Sequence, residues 1–467
     1  MSGDVRGLTA AVLTVVALTT FMDGFDGTMV CVALPVIGAD FGVDTGLSSW
    51  VTAAYYLTIA GLVILFARMA KRSGVREVLI AGFALFALSS LTISFTPDFA
   101  VLLACRFVQG AGAAMMGAAG PMACVRYLPA KRLGFGMAVL TMGWSLGYTM
   151  GPPLGGLLTD LLGWRWMFLI NVPIGLAAIL LCLYGLPRHD HDQAAGRLDT
   201  IGAVLLFAAV ATAVVAVETA AHPNQKLLSL GGGLAAVALL VLFVHRERHI
   251  TAPLLNIRVF RHLDFTAVFL SYVLLNIAYA GAQYLMPFYL EIDLGMNTTL
   301  AGLYMLIPSA ITFILCLPFG KLSDRHGDRW TYCTLSALLL CAACALAAWA
   351  GPSYDLSPML TVLILMGLCW ATCGGPAASR IVEHTADESL EIGSSLANES
   401  PFLGMAFGAS VFGMLFSFSS GAVDVGIGSL TAEIFTIGFV WTMIGGVAIG
   451  LIGTLLSAAV RDRPRKM

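Results

Sequence analysis

The sequence predicts an all-helical membrane protein of fourteen spanning helices, on three observations: its composition, the length of its apolar runs and the placement of its basic residues. Of 467 residues 58% are apolar and 11% charged, with a mean hydropathy of +0.88; soluble domains carry about a quarter charged residues. The 25 basic and 27 acidic residues give a formal net charge of -2, which leaves no basic surplus for nucleic acid.

Stretches free of charge, or interrupted once or twice, cover 7–35, 45–67, 78–97, 99–125, 133–159, 166–187, 200–217, 227–244, 265–290, 294–320, 330–354, 356–379, 395–423 and 431–460. Each reaches or approaches the roughly 20 residues that cross the hydrocarbon as a helix. With no water there, the backbone has to bond to itself, which selects helix. The first stretch lacks a long basic start and holds Asp23 and Asp26, so it reads as spanning helix 1 and not as a cleaved leader.

Basic residues mark alternate connections. Arg6 precedes helix 1; Arg68, Lys71, Arg72 and Arg76 follow helix 2; Arg126, Lys131 and Arg132 follow helix 4; Arg188 and Arg197 follow helix 6. Arg246, Arg248, Arg258 and Arg261 follow helix 8; Lys321, Arg325 and Arg329 follow helix 10; Arg380 follows helix 12; Arg461, Arg463, Arg465 and Lys466 close the chain. That places 22 of 25 on one side, the cytoplasmic side by the positive-inside rule, with both termini there. Arg165 and Lys226 fall opposite, and Arg106 lies inside helix 4.

Ala67–Arg76 and Gly320–Arg329 are short basic turns that each follow a second helix. Their likeness predicts two six-helix halves, 1–187 and 263–467, with helices 7 and 8 inserted between them in 188–262.

A charge inside the membrane costs about 2.5–3.5 kcal/mol on insertion scales and marks function. Asp23 and Asp26 stand three apart on one face of helix 1. Two carboxylates so placed cannot both ionise cheaply, so the pair is expected to take up a proton. Arg106 opens Arg-Phe-Val-Gln-Gly-Ala-Gly-Ala-Ala in helix 4; it keeps its charge and needs a carboxylate, carbonyls or water, so it is either an electrostatic partner of the acids or a structural clamp. Glu399, beside Pro401 in helix 13, is a further candidate for protonation or an interfacial charge. Glu218 and Glu291 lie at outer helix ends, where hydration is expected.

Helix 5 repeats glycine at Gly143, Gly147, Gly151 and Gly155 and holds Pro152 and Pro153. Glycines every four residues form a ridge for a neighbouring helix, and the prolines remove backbone donors, so a hinge or seal is expected. Lys71, Arg72, Asp324 and Arg325 in the paired basic turns are candidate gating residues. Trp50, Tyr55, Trp144, Tyr148, Gln283, Tyr284 and Tyr289 would line an apolar, stacking-capable site for bulky amphipathic or cationic solutes if they face a central cavity; otherwise they are packing.

Other chemistries find little footing. Gly143–Gly147 matches the GxSxG elbow around Ser145 without a strand before it. Ten cysteines, including Cys341/Cys344 and Cys369/Cys373, sit in apolar runs as small buried hydrophobes. His189, Asp190, His191 and Asp192 alternate in a polar connection and read as solvated charge and not as a metal site. No GxxxxGK[ST] loop occurs, so the energy source is expected to be an ion gradient.

These motifs resemble the major facilitator superfamily, and within it the fourteen-helix drug:proton antiporters, over nearly the whole chain. Asp26-Gly-Thr-Met-Val-Cys-Val-Ala-Leu-Pro35 is similar to the acidic helix 1 motif, which implies proton coupling at Asp26; Asp23 is additional to the pattern. Arg106–Ala114 resembles the helix 4 motif whose arginine is linked to proton transfer, Gly143–Gly156 the antiporter motif of exporters, and Gly163–Gly175 a signature of the fourteen-helix group. The gating loop departs from the family, with Ala67 and Lys71 where glycine and aspartate are usual, whereas the second copy keeps Gly320, Asp324 and Arg325. The resemblance implies an inner-membrane, monomeric exporter of drugs or a related metabolite that exchanges them for protons and needs no cofactor or metal. Nutrient symport and lipid export are the alternatives within transport, and a membrane hydrolase using Ser145 the one outside it.

Overall fold

The structure, a computed structural model, describes residues 2–129, 133–187, 199–221, 223–250, 257–326, 329–384, 390–421 and 427–460. Among them there is no strand. Helices α1 (Ser2–Phe41), α2 (Thr45–Ser73), α3 (Val75–Phe95), α4 (Phe99–Tyr127) and α5 (Leu133–Leu162) are followed by a short α6 (Arg165–Leu169) and α7 (Asn171–Gly185), which together make the sixth span. Then come α8 (Thr200–Ala220), α9 (Lys226–His249), α10 (Leu263–Phe288), α11 (Thr298–His326), α12 (Arg329–Ala350), α13 (Leu356–Glu383), α14 (Leu390–Ser420) and α15 (Ala432–Ala459). Thirteen spans are both long and strongly apolar; α5, 30 residues long, is the fourteenth.

Acids at the helix starts stop the apolar runs. Asp44 accepts from the Leu47 amide at 2.6 Å and Asp98 from the Ala100 amide at 2.7 Å, satisfying donors that a first turn leaves open. Gly163, at φ +91°, makes the turn from α5 into α6, a backbone setting that costs glycine nothing. Three arginines counted in the sequence as loop charges are buried instead: Arg76, Arg329 and Arg380. Arg76 donates to the carbonyls of Cys182 (3.0 Å) and Leu183 (2.8 Å) at the end of α7. Arg380, 0% exposed, donates to the Ser457 carbonyl at 3.1 Å and to the Val460 carbonyl at the end of α15. A cation there meets both open carbonyls and the negative end of the helix dipole.

The packing has a two-fold pattern. α1 packs on α5, α2 and α3 on α4, and α3 on α7; correspondingly α10 packs on α14, α11 and α12 on α13, and α12 on α15. Across the seam α2 meets α14 and α5 meets α11, contacts that exchange under the same pairing. The seam is tight at the end away from the N-terminus. There the Tyr284 hydroxyl donates to the Thr45 carbonyl, and the Ile427 amide donates to the Val43 carbonyl at 3.0 Å.

α8 and α9 pack on each other, and α8 leans on both α2 and α14. At the N-terminal (basic) end of the bundle, Arg246 ties α9 to the start of α8 through Nε (2.9 Å) and Nη2 (2.8 Å) to Asp199 Oδ1. Burial alone would raise the Asp199 carboxyl, but the Arg246 donors and the Gly202 amide outweigh it and hold the carboxyl below its ordinary value. A lowered acid contributes stability above its unfolded value, about pH 4, and loses it as pH falls through the folded value. Amide exchange in the first turns of α8 is therefore expected to stay slow at neutral pH and to accelerate only below about pH 4, with Asp199→Ala fast throughout.

Candidate functional site

A closed polar network sits inside the first half. Asp26 and Arg106 are both 0% exposed, and Arg106 Nη1 lies 2.6 Å from Asp26 Oδ2. The same nitrogen donates to Gln109 Oε1 at 2.6 Å, and Arg106 Nε donates to the Val51 carbonyl at 2.7 Å. Asp26 Oδ1 accepts from Gln109 Nε2 (3.0 Å) and Asn171 Nδ2 (2.8 Å), and Gln109 Nε2 also reaches Ser90 Oγ at 2.8 Å. Five helices, α1, α2, α3, α4 and α7, thus contribute to one network, and α4 and α7 reach the Asp26 carboxylate directly. The guanidinium stacks over the Tyr55 ring at 4.3 Å, a cation–π contact strengthened by the absence of water. Among the described residues Arg106 Nη2 has no hydrogen-bond partner.

Asp23, one turn earlier on α1, is differently placed. It is half-buried, takes the Tyr55 hydroxyl at 2.8 Å and faces the Trp144 side chain. Tyr55 therefore touches both acid sites, one through its hydroxyl and the other through its ring. Trp144 stacks on Tyr148 at 4.8 Å, and the Tyr148 hydroxyl crosses the seam to donate to Gln283 Oε1 at 2.8 Å. Asp23, Tyr55, Trp144, Tyr148 and Gln283 form one continuous wall between the halves.

Other sequence candidates lie elsewhere. Tyr289 is 0% exposed, stacked on Phe439 at 4.6 Å and bonded to the Gly351 carbonyl at 3.1 Å; it is packing within the second half. Tyr284 serves the closed end of the seam, and Trp50 is half-buried near the start of α2. Lys71, Arg72 and Arg325 are exposed on the basic end, while the Asp324 and Glu399 side chains lie outside the described residues. Glu218 corrects the expectation of a hydrated helix end: it is 5% exposed and takes the Ser49 hydroxyl, because α8 inserts it where α2 and α14 meet.

The α5 ridge meets α1 backbone to backbone. A Cβ on Gly147 would stand 2.3 Å from the Phe21 carbonyl oxygen, and one on Gly151 2.0 Å from Thr28 Oγ1. Gly155 faces Met29, while Pro152 and Gly156 turn toward Gly302 and Thr298 of α11. Ser145 stands in the middle of this continuous helix, not at a strand-to-helix elbow. The cysteines are free thiols, and no metal-ligand cluster occurs among the described residues; residues 189–192 lie outside them.

Gln109, Asn171 and Ser90 carry the network with Asp26 and Arg106, yet none stands out in the sequence. Gln109 is one turn after Arg106 in the helix 4 motif, and Asn171 opens α7 after the break at Ile170; those placements are the signals the sequence offers. The Gly163–Gly175 stretch gains a physical role too. Trp164 Nε1 (3.0 Å) and Arg165 Nη1 (2.9 Å) both donate to Asp40 at the end of α1, and Asn171 reaches Asp26.

Two similar helical bundles meeting around a charged first helix define a multi-pass membrane transporter. The chain belongs to the Major Facilitator Superfamily, whose sequence profile matches residues 16–409. It is 28% identical to the multidrug resistance protein B homolog of Mycobacterium tuberculosis over 86% of this chain and 75% of that one. It is 27% identical to the putative multidrug resistance protein MdtD of Salmonella heidelberg over 97% and 96%, and 26% identical to the riboflavin transporter RibZ of Clostridioides difficile over 86% and 88%. The fold is similar to that of a bacterial homolog of the human lysosomal transporter Spinster in an inward-facing, unoccupied conformation, with a TM-score of 0.69, 16% identity and coverage of 98% and 99%.

Proposed function

We propose that the protein is a proton-coupled antiporter of the bacterial inner membrane, monomeric and with both termini cytoplasmic, which exports hydrophobic or cationic drugs or a related planar metabolite. The observation that carries this is Asp23 on the seam wall, linked through Tyr55 to the buried Asp26–Arg106 pair. Asp23 is the group that exchanges a proton at the seam. Asp26 supplies the fixed charge that holds Arg106, and a proton arriving on either acid alters what the guanidinium must balance. Substrate stacking on Trp144 and Tyr148 competes with that proton. Residues 1–187 and 263–467 rock about the seam, α5 against α11 and α2 against α14 forming the seal. With the basic end inside, the tight end of the seam faces out.

One proton crossing about 150 mV yields roughly 3.5 kcal/mol, enough for a few-hundredfold gradient of a neutral solute. The multidrug-named relatives support drug export; the riboflavin transporter relative favours a planar aromatic metabolite, which the Trp144–Tyr148 stack suits equally.

Purified protein in vesicles with an internal pH dye tests this. Ethidium, tetraphenylphosphonium or riboflavin added outside is expected to alkalinise the lumen as cargo enters and protons leave. Asp23→Asn is expected to bind cargo and move no protons. Luminal acidification would mean symport, and an unchanged proton signal in both Asp23→Asn and Asp26→Asn would remove helix 1 from the coupling.

A further inference from the structure

A cavity of about 720 Å³ lies at the basic end, outside the seam wall, between the inserted pair and both halves. Its walls are apolar, with Val210 of α8, Leu240 and Phe243 of α9, and Leu403 of α14. The volume falls within the roughly 300–1,000 Å³ of ligand pockets. Side chains do not fill it, and an apolar chamber does not hold water well. At membrane depth its natural content is hydrocarbon.

Arg248 and Arg261 also line it. They differ from Arg246 nearby, whose charge is taken by Asp199. Neither Arg248 nor Arg261 has an acidic partner among the described residues. Both are exposed, and a guanidinium at the rim of an apolar chamber needs an anion or water. Basic pockets between spanning helices take anionic head groups for this reason.

We propose that this cavity binds an anionic amphipath, its apolar tail in the chamber and its phosphate or carboxylate head on Arg248 and Arg261. Such a molecule touches α2 of one half, α14 of the other and the α8–α9 pair that spans them. The inserted helices thereby wall in a ligand that reports on the separation of the halves at this end. The head group has two sources, a phospholipid resident in the bilayer or a long-chain fatty acid carried as cargo.

The test uses the full-length protein, delipidated in detergent, with retention of phosphatidylglycerol and of phosphatidylcholine of the same chains compared by native mass spectrometry. Wild type is expected to retain phosphatidylglycerol preferentially, and Arg248→Gln with Arg261→Gln to weaken that retention about fivefold per arginine, roughly 25-fold together. Val210→Trp, which fills the chamber and keeps both charges, is expected to lose both lipids. Equal retention of the two lipids by wild type, or a preference unchanged in the double arginine variant, overturns the proposal. Flux of a dansyl fatty acid in vesicles separates the sources: flux abolished in the double variant marks cargo, and binding without flux marks a resident lipid. Binding is read without a proton gradient, so its outcome is independent of the coupling scheme above.

Discussion

Arg106→Gln is expected to abolish transport and to destabilise the protein by about 3–5 kcal/mol, the range found when one partner of a buried ion pair is removed. The reason is geometric. Asp26 is fully enclosed and cannot turn to water; without Arg106 its charge rests on two amide donors, Gln109 and Asn171. The Val51 carbonyl loses its donor in the same substitution. Asp26→Asn does converse harm, leaving a guanidinium that cannot be neutralised by losing its proton. The double variant Asp26→Asn with Arg106→Gln removes both charges and keeps neutral hydrogen-bonding groups in their places. It is expected to recover most of the lost stability while remaining inactive. Thermal unfolding of the four proteins in detergent, read as a double-mutant cycle, checks this. Additive losses would show that the pair does not act as a unit.

How much of this is legible in the sequence depends on whether the property has a one-dimensional cost. Fourteen spans are readable because every charge misplaced in hydrocarbon costs free energy, so Arg and Lys gather at alternate ends. Asp26 and Arg106 are readable on the same ground. Gln109 and Asn171 are not, since a neutral amide leaves little trace in a hydropathy pattern and its partners come from other helices. Glu218 misleads because its burial is imposed by α14, nearly two hundred residues further along the chain. Arg76 and Arg380 satisfy the positive-inside count whether they face water or cap a helix, so that count is blind to their burial. Tyr289 shares its composition and neighbourhood with Gln283 and Tyr284, yet a stretch of π-helix over Tyr289–Asp293 shifts the helical register there and its ring packs on Phe439 instead.

Gly147→Ala is expected to destabilise the protein by about 1–3 kcal/mol, the usual cost of forcing extra volume into a packed site, and to reduce transport far more than Gly151→Ala carried on a Thr28→Ala background. A new Cβ at Gly147 meets backbone, the Phe21 carbonyl oxygen at 2.3 Å and the Phe25 amide at 2.8 Å, and backbone within a helix has nowhere to go. α1 must withdraw by about 1 Å, a displacement that costs on the order of a hundredfold in rate where groups are held in register. The segment displaced, Phe21–Phe25, contains Asp23 and lies one residue from Asp26. At Gly151 the shortest contact is a side chain instead: Thr28 Oγ1 at 2.0 Å, with backbone atoms at 3.0 Å. Among the described residues that hydroxyl bonds only within its own helix, to the Gly24 carbonyl at 2.8 Å and more distantly to the Phe25 carbonyl at 3.5 Å, so Thr28→Ala removes it without stranding a partner and opens room for a methyl group. The pair of glycines therefore separates two roles for the ridge, by unfolding temperature and by vesicle flux. If the ridge only fills space, flux should follow stability in every variant, so that Gly147→Ala loses flux only in proportion to its fall in unfolding temperature. If it sets the position of the acids, Gly151→Ala with Thr28→Ala regains flux while Gly147→Ala stays silent in every background that preserves the α1 backbone.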